Sequence, residues 1–318
     1  MATSNELVET EKHHFLPQFY LNGFLDRQGS LWVYEHGSTA PRQSKPKYEA
    51  YRQNYYAVEG IEEKNDIERM FGKIESLVAP FFRKLGNPQF NLTDEQCAHL
   101  YSFVAVSWAR VPASREYLDR MSCARVKTTA QRRAQDVEEF HAVMQRVEAR
   151  LGKPVGDYER YRQILESGNY DIIQPSNAYN IGHALKLMIE VEEILHGEYH
   201  HEFLYAPEGA YFITGDNPVI TIAPDLHGQA VIGVGFGRSN TQVLMPLNKK
   251  ACLLLRRDAR GEKLTATNLR VKQVNDIIMA SAQRTVYAPE GTRRLARIFK
   301  ERGCKIEYGK NAFIPKSG

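Results

Sequence analysis

The spacing of apolar residues changes once along this chain, near His196, and that change restricts the folds open to it. Upstream, Ile67, Met70, Phe71, Ile74, Leu77, Val78 and Phe81 recur at three- and four-residue steps, the stripe of a helix with one buried face. Thr93-Asp94-Glu95-Gln96 is a capping box that opens a second helix, with Leu100, Phe103, Val104 and Trp108 inward. Pro112 should kink or end it near Ser107, since proline removes a backbone donor and clashes with the preceding turn. Val137, Phe140, Met144 and Val147 mark a helix over about 131–151, and another is expected over about 177–195. Downstream, Phe203 to Tyr205, Tyr211 to Thr214, Val231 to Val234, Gln242 to Met245 and Ala251 to Leu255 sit between turn residues. Such short runs read as strands of one antiparallel or mixed sheet.

Near the start, Leu31 to Tyr34 and Tyr55 to Val58 read as strands, separated by a loop carrying Pro41, Arg42, Ser44 and Pro46. Pro17 fits the first turn of a short helix that Asn22-Gly23 should stop. The expectation is an α+β fold with a helical middle and a C-terminal antiparallel or mixed sheet joined by the N-terminal strands. Residues 1–11 read as a disordered tail and 12–318 as one domain. That domain is helix-rich over 62–197 and strand-rich over 198–258, and it closes with basic helices within 267–302.

Composition narrows the setting. The chain is 42% apolar and 25% charged, ordinary for a soluble protein. No stretch nears the roughly 18 apolar residues that span a bilayer, and Met1 to Glu11 is polar and acidic, unlike a signal peptide. Cys97, Cys123, Cys252 and Cys304 are scattered without a Cys-x-x-Cys pair, which favours a reducing cytoplasm over a disulfide framework or a cysteine-based zinc site. From Lys249 onward, 17 Lys and Arg stand against 6 Asp and Glu. A basic end on an acidic body raises nucleic acid as a partner, beside the plainer reading of a solvated face.

The densest cluster of reactive side chains is Lys12-His13-His14-Phe15-Leu16-Pro17-Gln18-Phe19-Tyr20-Leu21. His13 and His14, ahead of a helix start, can bind a divalent metal, move protons or contact phosphate. If that helix begins early, His14 and Gln18 share one face. The alternative is a structural pair bonded to the backbone. Asp216 and Asn217 follow an apolar strand, between Gly215 and Pro218, where a sheet can hold a carboxylate rigidly at a loop. An Asx turn competes with that reading. Glu75 lies at the margin of an apolar stripe and so needs a partner or a raised pKa. It can be a metal ligand, a base, or the ion-pair partner of Arg110. Arg110 itself can clamp an anion or brace the break at Pro112. His196-Gly197-Glu198-Tyr199-His200-His201 lacks the order of a zinc motif and reads as a polar junction. Gly233-Val234-Gly235-Phe236-Gly237 lacks the dinucleotide spacing and suits a twisted edge strand.

Several of these blocks together resemble one bacterial family, domain of unknown function 4238. The matching pieces are Lys12 to Leu21 with Phe24, Leu31 to Tyr34, Glu68 to Glu75, Arg110-Val111-Pro112, Phe212 to Val219 and Met245-Pro246-Leu247. The chain departs at Thr214-Gly215-Asp216, where the family pattern has serine before the aspartate. The resemblance implies an architecture and suspect residues, and no particular reaction.

Three functions follow as expectations. The first is a phosphodiester hydrolase with His13, His14, Asp216 and Glu75 as catalytic groups. His13, His14 and Asp216 would be its candidate metal ligands, and Gln18, Tyr20, Arg42, Arg110 and Asn217 its substrate contacts. Its basic C-terminal region would grip nucleic acid. The second is a binding protein without catalysis that uses the same surface. The third is a small-molecule enzyme with a pocket between the His-His segment and the Asp216 turn.

Overall fold

A computed structural model of the chain describes residues 12–53, 55–56, 66–172, 177–225 and 230–302. The N-terminal elements are β1 (Lys12–His14), α1 (Gln18–Leu21), β2 (Leu31–Glu35), β3 (Arg42–Ser44) and β4 (Tyr51–Gln53). Six helices follow: α2 (Asp66–Phe82), α3 (Asp94–Ala109), α4 (Pro112–Gln135), α5 (Val137–Leu151), α6 (Tyr158–Ser167) and α7 (Asn177–Glu198). The strand-rich part holds β5 (His200–Tyr205), β6 (Thr214–Gly215), β7 (Ile220–Pro224), β8 (Ala230–Ile232), β9 (Gln242–Asn248), β10 (Ala251–Arg256) and β11 (Lys263–Thr265). It ends with α8 (Asn268–Ser281), β12 (Thr285–Ala288) and α9 (Arg293–Arg302). The architecture is α+β.

Strand alternation places the core. Successive side chains of a strand face opposite ways. Val243, Met245, Leu247, Leu253 and Leu255 therefore enter one apolar cluster, while Leu244, Cys252 and Leu254 enter another. The first cluster is roofed by α2, α3 and α7 through Phe71, Val78, Phe81, Phe103, Val104, Val191 and Leu195. The second takes Val271, Val274 and Ile278 of α8, with Tyr34, Val286 and Phe299. β9 and β10 are thus buried on both faces, in a sheet ordered β11-β5-β10-β9-β7-β8. This sheet is mixed, because β11 runs parallel to β5 while the other pairs are antiparallel.

The N-terminal strands β2 and β3 join C-terminal strands in a second sheet rather than this one. β2 and β3 build a separate antiparallel sheet, β3-β2-β12-β6, with a strand from near the other end of the chain. Among the described residues β1 pairs with β4 alone, His14 opposite Tyr51. Other boundaries shift for local reasons. Arg42 to Ser44, expected in a loop, is β3, because β2 supplies the pairing edge. The strand expected over Tyr55 to Val58 lies earlier, at β4; Tyr55 and Tyr56 form a turn, and Ala57 and Val58 fall outside the described residues. Phe212 and Ile213 are buried but not in a strand, since their N–H groups bond Lys249 O and Asn275 Oδ1 instead. β8 stops at Ile232, so Gly233 to Gly237 is a loop and not an edge strand.

The helices obey their caps. The Thr93 capping box forms, Pro112 opens α4, and Asp136 accepts from Glu139 N to start α5, which splits the helix expected over 131–151. Gly23 permits one close approach: a Cβ there would lie 2.8 Å from the Asn248 Cβ, so the turn after α1 packs directly on the β9–β10 connection. The tail at 1–11 and the end of the basic region lie outside the described residues.

Candidate functional site

Strand β4 with the flanking Phe15 and Glu49-Ala50, and the turn after β6, border a cleft of about 630 Å³, within the usual range of ligand sites. Phe15, Ala50, Tyr51 and Arg52 line one side and Asp216, Gln283, Arg284 and Thr285 the other, with Arg42, Glu49 and Tyr287 between. Neither His13 nor His14 lines it.

Asp216 is nearly buried, and both of its carboxylate oxygens are engaged. Oδ1 accepts from Gln283 N at 2.8 Å, and Oδ2 from Arg284 N at 2.7 Å and Thr285 N at 3.1 Å. Burial raises its pKa to about 6, and the three N–H groups pull the other way. A carboxylate so tied positions backbone. It fixes the segment that enters β12 and thereby aims Arg284 at the cleft. Asn217 is buried beside it and donates weakly to Ser281 O at 3.4 Å.

Glu49 is the second buried carboxylate of the cleft. Arg42 donates to it at 2.6 and 3.1 Å, Ser44 donates at 2.6 Å, and Arg42 also holds Glu35. Hydrogen bonding to Glu49, foremost, keeps the Arg42 guanidinium charged beyond its ordinary range. Tyr287 is buried among these groups, and its hydroxyl is pushed well up by burial and by the charges of Asp216 and Glu49. Beside Glu49, Ala50 has φ of +54°, the left-handed region that costs a residue with a Cβ about 1–2 kcal/mol. That conformation turns its carbonyl to accept from Phe15 N at 2.8 Å, tying the cleft wall to the end of β1. Strain of this kind clusters at functional sites.

The donors left over are cationic. Arg284 is exposed and makes no ion pair among the described residues. Arg52 is 4.0 Å from Glu116, a pair in which both side chains are about half exposed, which contributes little.

The His-His segment faces a second, closed cluster. His13 is buried in β1; its Nδ1 accepts from Tyr56 N at 3.0 Å and its ring stacks on Tyr56 at 5.4 Å. His14 bonds the Lys47 backbone and tilts against Tyr51, the residue whose other surroundings include the cleft. Burial, aided by Arg110, lowers the His14 pKa, so this imidazole is neutral at pH 7. Arg110, only 3% exposed, donates Nη1 to Glu75 at 2.5 Å and lies over the Phe71 ring. Three of the sequence-derived candidates (His14, Glu75 and Arg110) are thus electrostatic neighbours.

The remaining expectations fare differently. Asp216 is not part of that cluster, and among the described residues no three His, Cys, Asp or Glu side chains gather to hold a metal ion. His14 and Gln18 do not share a helix face, because His14 belongs to β1 and α1 begins at Gln18, which is exposed. Tyr20 is not available to a substrate: it is fully buried, its hydroxyl donates to Pro246 O at 2.7 Å, and Thr214 Oγ1 lies 2.7 Å away. The expected contacts missed Glu49, Arg52, Arg284, Tyr56 and Tyr287. Arg284 had one readable signal, its place just past an amphipathic helix and ahead of an apolar strand.

The fold and the cleft define an α+β protein with a ligand-sized cleft and, apart from it, a buried ionic cluster. The model of the family described as protein of unknown function (DUF4238) matches residues 12–292, and the chain belongs to that family. The match ends before α9. No curated protein and no solved structure matches the chain. No helix among the described residues is long and apolar enough to cross a membrane.

Proposed function

We propose that this protein binds a small organic anion in the cleft between β4 and the Asp216 turn, a binding site next to the His-His segment rather than the enzyme pocket of the third expectation. One observation carries the reading. The two buried carboxylates of the cleft are occupied by protein donors, whereas the guanidiniums of Arg52 and Arg284 retain donors facing solvent. Glu35, the third carboxylate of the lining, is held by Arg42, so Arg52 and Arg284 are the charged donors left for a ligand, and Tyr48, Tyr51 and Phe15 offer flat apolar contact for its body. Phosphodiester hydrolysis by His13, His14 and Asp216 would need those groups at one point, whereas Asp216 lines the cleft and neither histidine does. Calorimetric titration of a panel of aryl carboxylates and nucleoside monophosphates, each beside its neutral analogue, tests the proposal. Binding should favour the anions and weaken about tenfold in Arg284→Ala. Equal binding of neutral analogues would remove the reading.

A second reading rests on α9. Arg293, Arg294, Arg297 and Lys300 are exposed along it and make no ion pair among the described residues, while Phe299 packs against His36 of the cleft. Such a row suits a nucleic-acid backbone. Fluorescence anisotropy with single-stranded DNA should then show affinity falling steeply with salt, and less so after Arg293→Ala with Arg297→Ala. A flat salt dependence excludes it.

A further inference from the structure

A second hollow, of about 220 Å³, shares no lining residue with the cleft. Leu187, Val191 and Ile194 enter it from one face of α7, and Ser114, Tyr117 and Leu118 from one face of α4, each set at helical spacing. Val219 and Thr221 enter from β7 and its approach. Strand alternation sends Ile220 and Ile222 into the cluster under α8, so these two face the helices instead. The loop Gly233 to Gly237 closes the wall.

Two hydroxyls stand out in this mostly apolar lining. Ser114 and Thr221 are each 5% exposed, and no hydrogen bond engages either side chain among the described residues. Both reach open space, unlike the sealed hydroxyl of Ser107. Buried polar groups are normally hydrogen-bonded, so a pair left open on one hollow is the mark of a ligand's polar end. The glycine loop is held rigid from outside the hollow. Phe236 O accepts from Tyr199 Oη at 2.8 Å and Arg257 Nη2 at 2.9 Å, and Gly235 O accepts from Thr241 Oγ1 at 2.8 Å. The buried Phe236 ring meets Trp108 edge-on at 5.2 Å. A Cβ at Gly235 or Gly237 would meet no described atom within 4 Å, and neither glycine has a positive φ. The turn does not require glycine at these two positions; glycine leaves bare peptide planes with room beside them. A cavity of about 150 Å³ with an apolar lining takes up benzene. This one is larger and adds hydroxyls.

We propose that this hollow binds a neutral aromatic alcohol, its ring between Trp108 and the glycine loop and its hydroxyl bonded to Ser114 or Thr221. An anion is disfavoured. Glu190 is the one charged side chain among the described lining residues; it is half exposed and 3.8 Å from Lys186. The site therefore selects against the ligands proposed for the cleft, and either proposal can fail alone.

Phenol is the probe, with toluene and benzoate beside it, in ligand-observed NMR titrations of the full chain. Phenol should bind saturably, and benzoate should not displace it. Ser114→Ala combined with Thr221→Val removes two hydroxyls that hold nothing else, so the fold should persist, which circular dichroism checks. Phenol should weaken about tenfold in that variant, while toluene binds at least as well as before. Arg284→Ala, in the cleft, should leave phenol unchanged. Should the double variant not fold, a crystal of the wild-type protein soaked in phenol decides, with the ring expected beside Trp108 and Gly235. Water alone in the hollow, or a ring found elsewhere, overturns the proposal. So does a lack of saturable phenol binding, displacement by benzoate, a loss of phenol in Arg284→Ala, or a double variant that keeps phenol or loses toluene equally.

Discussion

The cleft and the Arg110 cluster handle charge in opposite ways. In the cleft the two buried acids, Asp216 and Glu49, are fully engaged and the half-exposed Glu35 is held by Arg42, while Arg52 and Arg284 retain donors. In the cluster the arginine is deep and engaged on one edge only, and its acid, Glu75, is 25% exposed. Charge identity alone therefore says little about function. What matters is which atoms of each group the fold has already occupied. Asp216 carries the residue type of a catalytic acid but the bonding pattern of a brace, whereas Arg110 is buried with only Nη1 hydrogen-bonded among the described residues.

The comparison breaks first at Asp216. Asp216→Ala would orphan three N–H groups at the entry to β12, a loss of about 3–5 kcal/mol by chemical denaturation. Unchanged stability would show that the carboxylate is free for other work. Next comes Glu75→Gln, which leaves a buried guanidinium without its counter-charge. Discounted for the partial exposure of Glu75, the cost should be about 1–3 kcal/mol. Urea titration of that variant and of Arg110→Met with Glu75→Met separates the pair from its packing, since the double change should cost less than the single one. Tyr20→Phe removes one buried hydroxyl from Pro246 O and Thr214, costing about 1–2 kcal/mol while cleft titrations stay unaltered. A loss of ligand affinity there would restore Tyr20 to the site.

The smallest effect concerns pH. The fold depresses the His14 pKa below 6.5, so on acidification the unfolded chain takes up this proton before the folded one does. The stability from neutral His14 is full above pH 6.5 and is lost as pH falls below it. His14→Gln should flatten that part of the stability profile; an unchanged slope would mean that the imidazole is protonated inside the fold.

Much of the scaffold was legible because its signals are local. The α2 stripe, the Thr93 capping box and the helix break before Pro112 each depend on residues a few positions apart. β3 was not legible, since Arg42-Gln43-Ser44 has no alternation of its own and becomes a strand only because β2 pairs with it. The site divides along the same line. The ion pair of Glu75 with Arg110 was among the sequence readings, because each residue sits against a visible helix face. The partners of Asp216 are 67 to 69 residues away and are backbone groups, which carry no residue-specific mark. Tyr20 misled for a similar reason: its neighbours along the chain are reactive, but its hydroxyl is held by Pro246, 226 residues on.

The most direct measurement is a crystal structure of the protein saturated with the tightest anion from the titration panel. The anionic group should lie within hydrogen-bond distance of Arg284 or Arg52, with Asp216 still bonded to the N–H groups of Gln283, Arg284 and Thr285. An anion bound elsewhere at full occupancy, or an Asp216 carboxylate released to contact the ligand itself, would contradict this account.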